Sequence, residues 1–292
     1  MVLSANILDQ TPEVIAKWPK ANYVNPEELT WLPIYTCIWF GAATIMVAVR
    51  FWLRFRGHAG RLGLDDVSSE LGYMMINRTV TNALSQGLLL PAWFAAALFT
   101  AVSVVFSERA NGGRHVWDVK PNLRSYAVLC MWLAQFSFLI CSGCTKVSIL
   151  FFYRRLVTGT YSRKWYWCVW FAIIFTILYT IAFCIMLLVD CRPTKAYWMA
   201  FDLKYALTAD FKCLADSNAI NATAGVCAVL SDVYAVALPC IITWHHDVPR
   251  RQRLALNAIF CLGFVVVAAG GVRTYWLISE FLVPHVLRCC TR

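Results

Sequence analysis

Apolar residues along this chain gather into long runs separated by short polar stretches that are mostly basic. This pattern predicts helices that cross a bilayer, each close to the ~20 residues a span requires, joined by loops. Six such spans are expected. They run over Trp31–Phe55, Gly87–Phe106, Ser125–Tyr153, Tyr166–Val189, Ala222–Trp244 and Leu254–Leu277. The third is long enough that its ends should project from the bilayer or the helix should tilt. Aromatic residues crowd the ends of the runs (Trp31, Trp52, Trp165, Trp167, Trp198, Trp244, Trp276), as an interfacial belt requires. The predicted fold class is therefore all-α, a polytopic transmembrane helix bundle. It has an extracytoplasmic N-terminal segment over 1–30, a transmembrane domain over 31–277, and an atypical tail over 278–292.

The loops give orientation. Arg50, Arg54, Arg56 and Arg61 stand at the end of the first span or just after it, Arg154, Arg155, Arg163 and Lys164 follow the third, and Arg250, Arg251 and Arg253 the fifth. These loops are compact and almost free of acid, whereas the alternate loops are longer and diluted by Asp and Glu. The counts of Lys and Arg are nearly tied, so the charge pattern gives a mild preference for an N-terminus outside. Asn221-Ala-Thr, a glycosylation acceptor on the loop between spans four and five, agrees with it. So do Cys191 and Cys213, which bracket the same loop and could pair on an oxidising face. Cys130, near the outer end of span three, is a rival partner for either.

Composition supports the class and removes one competitor. Hydrophobic residues make up 60% of the chain and charged residues 14%, against about a quarter charged in a soluble domain. The net charge of +10 does not point to nucleic acid, because the basic residues flank apolar spans and form no separate soluble domain. Thirteen cysteines do not make a disulfide scaffold either, since most lie inside apolar runs as small buried hydrophobes. The C-x-x-C of Cys141 and Cys144 falls within a span, where chance accounts for it. The first thirty residues have no basic-then-apolar signal peptide.

Several short motifs recur in order along the chain. Trp18-Pro-Lys-Ala-Asn-Tyr-Val-Asn-Pro26 precedes the first span, and Gly63-Leu-Asp65-Asp66 follows it. Gly113-Arg114-His115-Val-Trp117-Asp118 lies between spans two and three, and Lys146-Val-Ser-Ile-Leu-Phe-Phe-Tyr-Arg154 closes the third. Cys191-Arg-Pro193 and Trp198 come after the fourth, Asp232 and Pro239 mark the fifth, and Arg273 ends the sixth. In this order and spacing the set resembles the fungal rhodopsin-domain family of integral membrane proteins, the satratoxin-cluster type, over most of residues 18–277. The resemblance implies a seven-helix bundle with its N-terminus outside, in a family whose members are receptor-like or tied to secondary-metabolite pathways. A microbial-rhodopsin pigment needs a Schiff-base lysine in its last helix. No such helix follows residue 277, and Lys146 is at the wrong depth, so no retinal or other cofactor is expected and the family name describes shape.

Two departures from the family pattern stand out. Ser279–Arg292 takes the place of a seventh span, and Val67–Gln86 separates Gly-Leu-Asp65-Asp66 from the helix it should enter. Without that segment the text reads Gly-Leu-Asp-Asp-Gly-Leu-Leu-Leu-Pro-Ala-Trp. The segment opens on Val-Ser, which GTGAGT encodes. Val80-Thr-Asn82 fits a CTAAC branch sequence, and Ser85-Gln86 fits an ending in CAG. We read Val67–Gln86 as a translated, unspliced intron. The other reading is an interfacial amphipathic helix carrying Leu71, Met74, Met75, Val80 and Leu84 on one side. Mature transcripts that all retain the segment would exclude the intron.

An ionisable group inside a span is a candidate for function, because charge in lipid is costly. Lys146 and Arg273 lie near span ends, where snorkelling to the interface explains them equally well. Asp232 lies about 15 Å deep at about 1.5 Å per residue, where a short side chain cannot snorkel. Gln135 and Tyr179 are at similar depth, and a polar contact among the three is expected. Asp232 is then either a protonated acid bonded to a neighbouring helix or a contact for ligand, proton or substrate. His115 and Asp118 with Trp117 could do acid–base work at a lip but more simply lock a loop against helix ends. His245, His246 and Asp247 read as polar capping of a helix end rather than a metal site. Two functions follow: a receptor-like or accessory membrane protein that takes a small lipophilic ligand, or a membrane-embedded cyclase or isomerase acting on a lipophilic intermediate. The lipid bilayer is the one partner common to both.

Overall fold

The computed structural model describes residues 22, 30–56, 87–114, 118–157, 163–202, 205, 208–213, 217–244, 263–272 and 274–275. Helices dominate: α1 (Trp31–Phe55), α2 (Leu89–Glu108), α3 (Pro121–Val157), α4 (Arg163–Val189), the single-turn α5 (Ala196–Met199), α6 (Ser217–Trp244) and α7 (Gly263–Val272). Two short strands, β1 (Cys191–Arg192) and β2 (Lys212–Cys213), flank α5. Among the described residues α1, α2, α3 and α4 are long and apolar enough to cross a membrane, and α6 and α7 carry shorter apolar stretches over Thr223–Ala237 and Gly263–Val272. The chain is an all-α multi-pass integral membrane protein. Asp65, Asp66, the Val67–Gln86 segment, His115, Trp117, His245, His246, Asp247, Arg273 and the 278–292 tail lie outside the described residues.

The helix ends follow local chemistry. Pro91 stands in the first turn of α2, where its missing N–H leaves no bond unmade. Pro121 opens α3 for the same reason. This start, together with a polar continuation through Arg154 and Arg155, makes α3 37 residues long, more than the span expected from the apolar run. At ~1.5 Å per residue it measures about 55 Å, so both ends project beyond a hydrocarbon core of about 30 Å.

The fold divides into two compact units. One holds residues 29–113 and 133–177, the other 1–28, 114–132 and 178–292. In the first unit α1 packs on α2. The half-buried positions of α1 (Pro33, Thr36, Phe40, Thr44, Val47) recur every three or four residues on one face. Phe40 meets Trp93 of α2 with ring centroids 5.9 Å apart, and Trp93 Nε1 donates to Thr44 Oγ1 at 3.0 Å. Thr44 in turn donates to the Phe40 carbonyl at 2.8 Å, so its hydroxyl is satisfied twice. The opposite side of α1 exposes Ile34, Ile38, Trp39, Ile45 and Met46. Such a face is costly in water and suits lipid.

The same unit turns from α2 toward α3 through Asn111 (φ 54°) and Gly113 (φ 90°), both left-handed. Between them Gly112 donates its N–H to the Phe106 carbonyl at 2.8 Å, and a Cβ there would collide with the Phe106 ring. Phe99 and Phe138 pack at 6.3 Å between α2 and α3. Lys146 is buried in α3, and Arg154, also buried, lays its guanidinium 4.6 Å from the Trp170 ring.

In the second unit α6 and α7 run antiparallel with glycine at the contact. A Cβ on Gly263 would lie 2.6 Å from Val236 Cγ2, and one on Gly270 would lie 3.2 Å from Asp232 Oδ2 and 3.6 Å from Val229. The seam is therefore set by two residues with no side chain, the device that lets helices approach closely in lipid.

Candidate functional site: the clasped lobe after α4

The second unit also builds a small lobe at the C-terminal end of α4. β1 and β2 pair antiparallel with Cys191 opposite Cys213 and Arg192 opposite Lys212. Cys191 and Cys213 form a disulfide with Cα atoms 4.0 Å apart, closing the intervening loop, while Cys130 is a buried free thiol. The Arg192–Pro193 peptide is cis. Within the loop, α5 is held to α3. The Ser125 hydroxyl donates to the Trp198 carbonyl at 2.8 Å, and the Trp132 and Trp198 rings lie 5.6 Å apart. Tyr205 stacks on Phe211 at 6.0 Å and sits beneath Lys195 at the same distance.

A helix leaves its last carbonyls without intrahelical donors. Here the end of α4 meets them with specific partners: the Asp190 N–H reaches the Met186 carbonyl at 2.9 Å, Trp132 Nε1 the Leu187 carbonyl at 3.1 Å, and the Thr194 hydroxyl the Leu188 carbonyl at 2.9 Å. One group is left over. Asp190 is only 9% exposed, and its Oδ1 has no hydrogen-bond partner among the described residues. A carboxylate at a helix C-terminus also faces the negative end of the helix dipole. Burial pushes the Asp190 carboxyl above its ordinary 3.8. Tyr197 is pushed up to about 12, first by burial and then by the neighbouring Asp190 charge. The tyrosine thus feels the carboxylate while making no hydrogen bond to it among the described residues.

The residues expected from sequence fall into different places. Asp118 is buried, and its Oδ1 accepts the Asn22 N–H at 2.7 Å, tying Asn22 to the turn before α3. Arg114 is half-buried. Asp232 is half-buried in α6 and abuts Gly270. Tyr179 is buried in α4 with its ring 6.2 Å from Phe183. Gln135 is half-buried in α3 and belongs to the other unit. Asn221 is the fifth residue of α6, so its backbone is helical rather than looped. Sequence reasoning did not single out Asp190, Tyr197 or Trp132. The available signal was an acid placed directly after an apolar span, against the dipole rule, and immediately before Cys-Arg-Pro.

The profile of the fungal rhodopsin domain matches residues 49–283. The chain belongs to the fungal rhodopsin domain family. Two curated proteins are similar to it at low identity. A SAT4 family membrane protein of Emericella nidulans is 26% identical over 164 residues, which are 56% of this chain and 41% of that protein. A protein named Receptor GIN3, of Arthrobotrys oligospora, is 25% identical over 255 residues, or 86% of this chain and 53% of that one. The chain spans about half the length of the curated relatives it matches. No solved structure matches it. The family and the apolar helices together make this rhodopsin-domain chain a multi-pass protein of a lipid bilayer.

Proposed function

We propose that this rhodopsin-domain protein is receptor-like, presenting the clasped lobe on the extracytoplasmic side to a small ligand. The observation that carries this reading is the lobe itself: a disulfide-closed hairpin, an aromatic pair and a buried carboxylate with one oxygen unpartnered among the described residues. A disulfide persists on an oxidising face, in keeping with the N-terminus-outside preference of the loop charges. A similar protein bearing the name of a receptor supports the same reading. Any attachment to a metabolite pathway would be through such sensing.

A second reading rests on Asp232, an acid midway along α6. A membrane-embedded cyclase or isomerase would use it on a lipophilic intermediate. Its contact with Gly270 gives it a packing role without requiring a substrate, so the receptor reading is preferred.

The test is topological and chemical together. Intact protoplasts are mildly reduced and treated with a membrane-impermeant thiol reagent. Labelling that disappears in the Cys191→Ser/Cys213→Ser variant is expected. Absence of labelling at these two cysteines overturns a cell-surface lobe. Metabolite profiles of a deletion strain and an Asp232→Asn strain accompany it, and a shared accumulating intermediate would favour the enzyme.

A further inference from the structure

We propose that the clasped lobe binds a protonated amine, with its ammonium group on Asp190 Oδ1 and its organic part against the rings of Tyr197, Trp198 and Trp132. This deepens the receptor reading and rests on it.

The argument begins with what Asp190 lacks. Buried carboxylates are normally paired or hydrogen-bonded, because an unpaired buried acceptor is costly. Three donors of the lobe are committed to carbonyls: Trp132 Nε1 to Leu187, the Thr194 hydroxyl to Leu188 and the Ser125 hydroxyl to Trp198. Among the described residues, the cations of the lobe are placed elsewhere. Lys195 lies over Tyr205, and Arg192 and Lys212 are exposed on the paired strands. Among the described residues the Met186, Leu187 and Leu188 carbonyls have partners and Asp190 Oδ1 has none. What would complete it is a donor with positive charge, since both the carboxylate and the helix C-terminus favour one.

The surroundings select the type of cation. A hydrated metal ion would want several oxygen ligands, and the described residues contain no group of three or more His, Cys, Asp or Glu able to hold one. Aromatic residues are what the lobe offers instead. The Leu187 carbonyl bonded by Trp132 belongs to the same final turn as Asp190, and Trp198 meets Trp132 at a tilt of 53° and follows Tyr197 in sequence. Trp132, Tyr197 and Trp198 are all half-buried, so none is sealed in the core. Aromatic faces attract ammonium groups and accept apolar substituents. The raised Tyr197 keeps its hydroxyl neutral beside the carboxylate, so it adds no competing charge.

The test uses the full chain in lipid nanodiscs, with benzylammonium as probe and benzyl alcohol as its neutral counterpart. Benzylammonium should raise the unfolding temperature saturably, and the alcohol at equal concentration should not. Asp190→Asn should weaken the apparent affinity roughly tenfold or more, the worth of a charge-assisted hydrogen bond. Its unfolding temperature without ligand should be no lower than that of the native chain. Trp198→Ala should weaken binding as well. Equal stabilisation by the alcohol, equal affinity in Asp190→Asn, or no saturable effect of the amine on the native chain would each overturn the proposal. If Asp190→Asn is not recovered folded, the contrast between amine and alcohol on the native chain decides alone. Failure here leaves the receptor reading standing, because thiol labelling tests that separately. Amine binding without surface labelling would remove the receptor and keep the site.

Discussion

Two acids in the same compact unit have opposite fates. Asp232 stands midway along α6, where its carboxyl meets Gly270 of α7 at a seam made narrow by glycine. Asp190 stands one residue past α4, under a disulfide-closed hairpin, with an oxygen that nothing described satisfies. Depth in the bilayer made the first the obvious candidate. The second lies just past a helix C-terminus, outside the apolar span, where depth singles out nothing. The comparison teaches that partner count is a better guide to an open site than depth is. An acid with a fitted neighbour is already explained by packing, and one without remains to be explained.

Breaking the lobe is expected to have the largest effect. Cys191→Ser with Cys213→Ser releases a loop whose ends are 22 residues apart. That should cost about 3 kcal/mol of stability, read as a lower unfolding temperature of the purified chain, and the α6–α7 seam should not be the first part to open. Hydrogen exchange that shows α6 and α7 exposed before the lobe would contradict this.

Next comes the seam. Gly263→Val places atoms where Val236 already stands, and Gly270→Val crowds Asp232 and Val229. Each should cost about 1–3 kcal/mol through overpacking. Stability unchanged in both variants would mean that close approach is not what joins these helices.

The sharpest version of the comparison is the smallest in size. Asp190→Asn should stabilise the chain near neutral pH by about 1–2 kcal/mol, because it removes a buried, unsatisfied charge. The sign with pH follows from the raised folded value. A carboxyl raised on folding costs nothing below its unfolded pKa, taken as the ordinary 3.8, and destabilises increasingly as pH rises through the folded value. Native and Asp190→Asn proteins should therefore converge in acid and diverge toward neutrality, as followed by thermal unfolding across pH. At neutral pH, Asp232→Asn should not stabilise the chain more than Asp190→Asn does. If it does, the ranking of the two acids is reversed.

Much of the architecture was legible because the bilayer imposes it. Runs such as Trp31–Phe55 and Tyr166–Val189 have few alternatives once twenty apolar residues stand together, and α1 coincides with its expected span. The ends were less legible. The extension of α3 to Pro121 depends on proline fitting a first turn and not on hydropathy. For the disulfide, the sequence left Cys130 in competition, and only the pairing of β1 with β2 sets Cys191 opposite Cys213. Asp190 could not have been found by periodicity, because it stands one residue past the end of the helical run. The seam glycines were equally hidden: Gly271, next to Gly270, has open space where its neighbour has a carboxylate, and nothing in the text distinguishes them.

The outward face of α1 has a further consequence. Helix α1 keeps none of its most apolar stretch buried within the protein, so lipid supplies the contacts that a protein core would otherwise provide. Ile34, Ile38, Ile45 and Met46 are therefore held to a solvent requirement and not to a shape. They are free to drift among apolar residues over evolutionary time, while Phe40 and Thr44, which fit Trp93, are not. Such a helix records the membrane it lives in on one side and its own ancestry on the other.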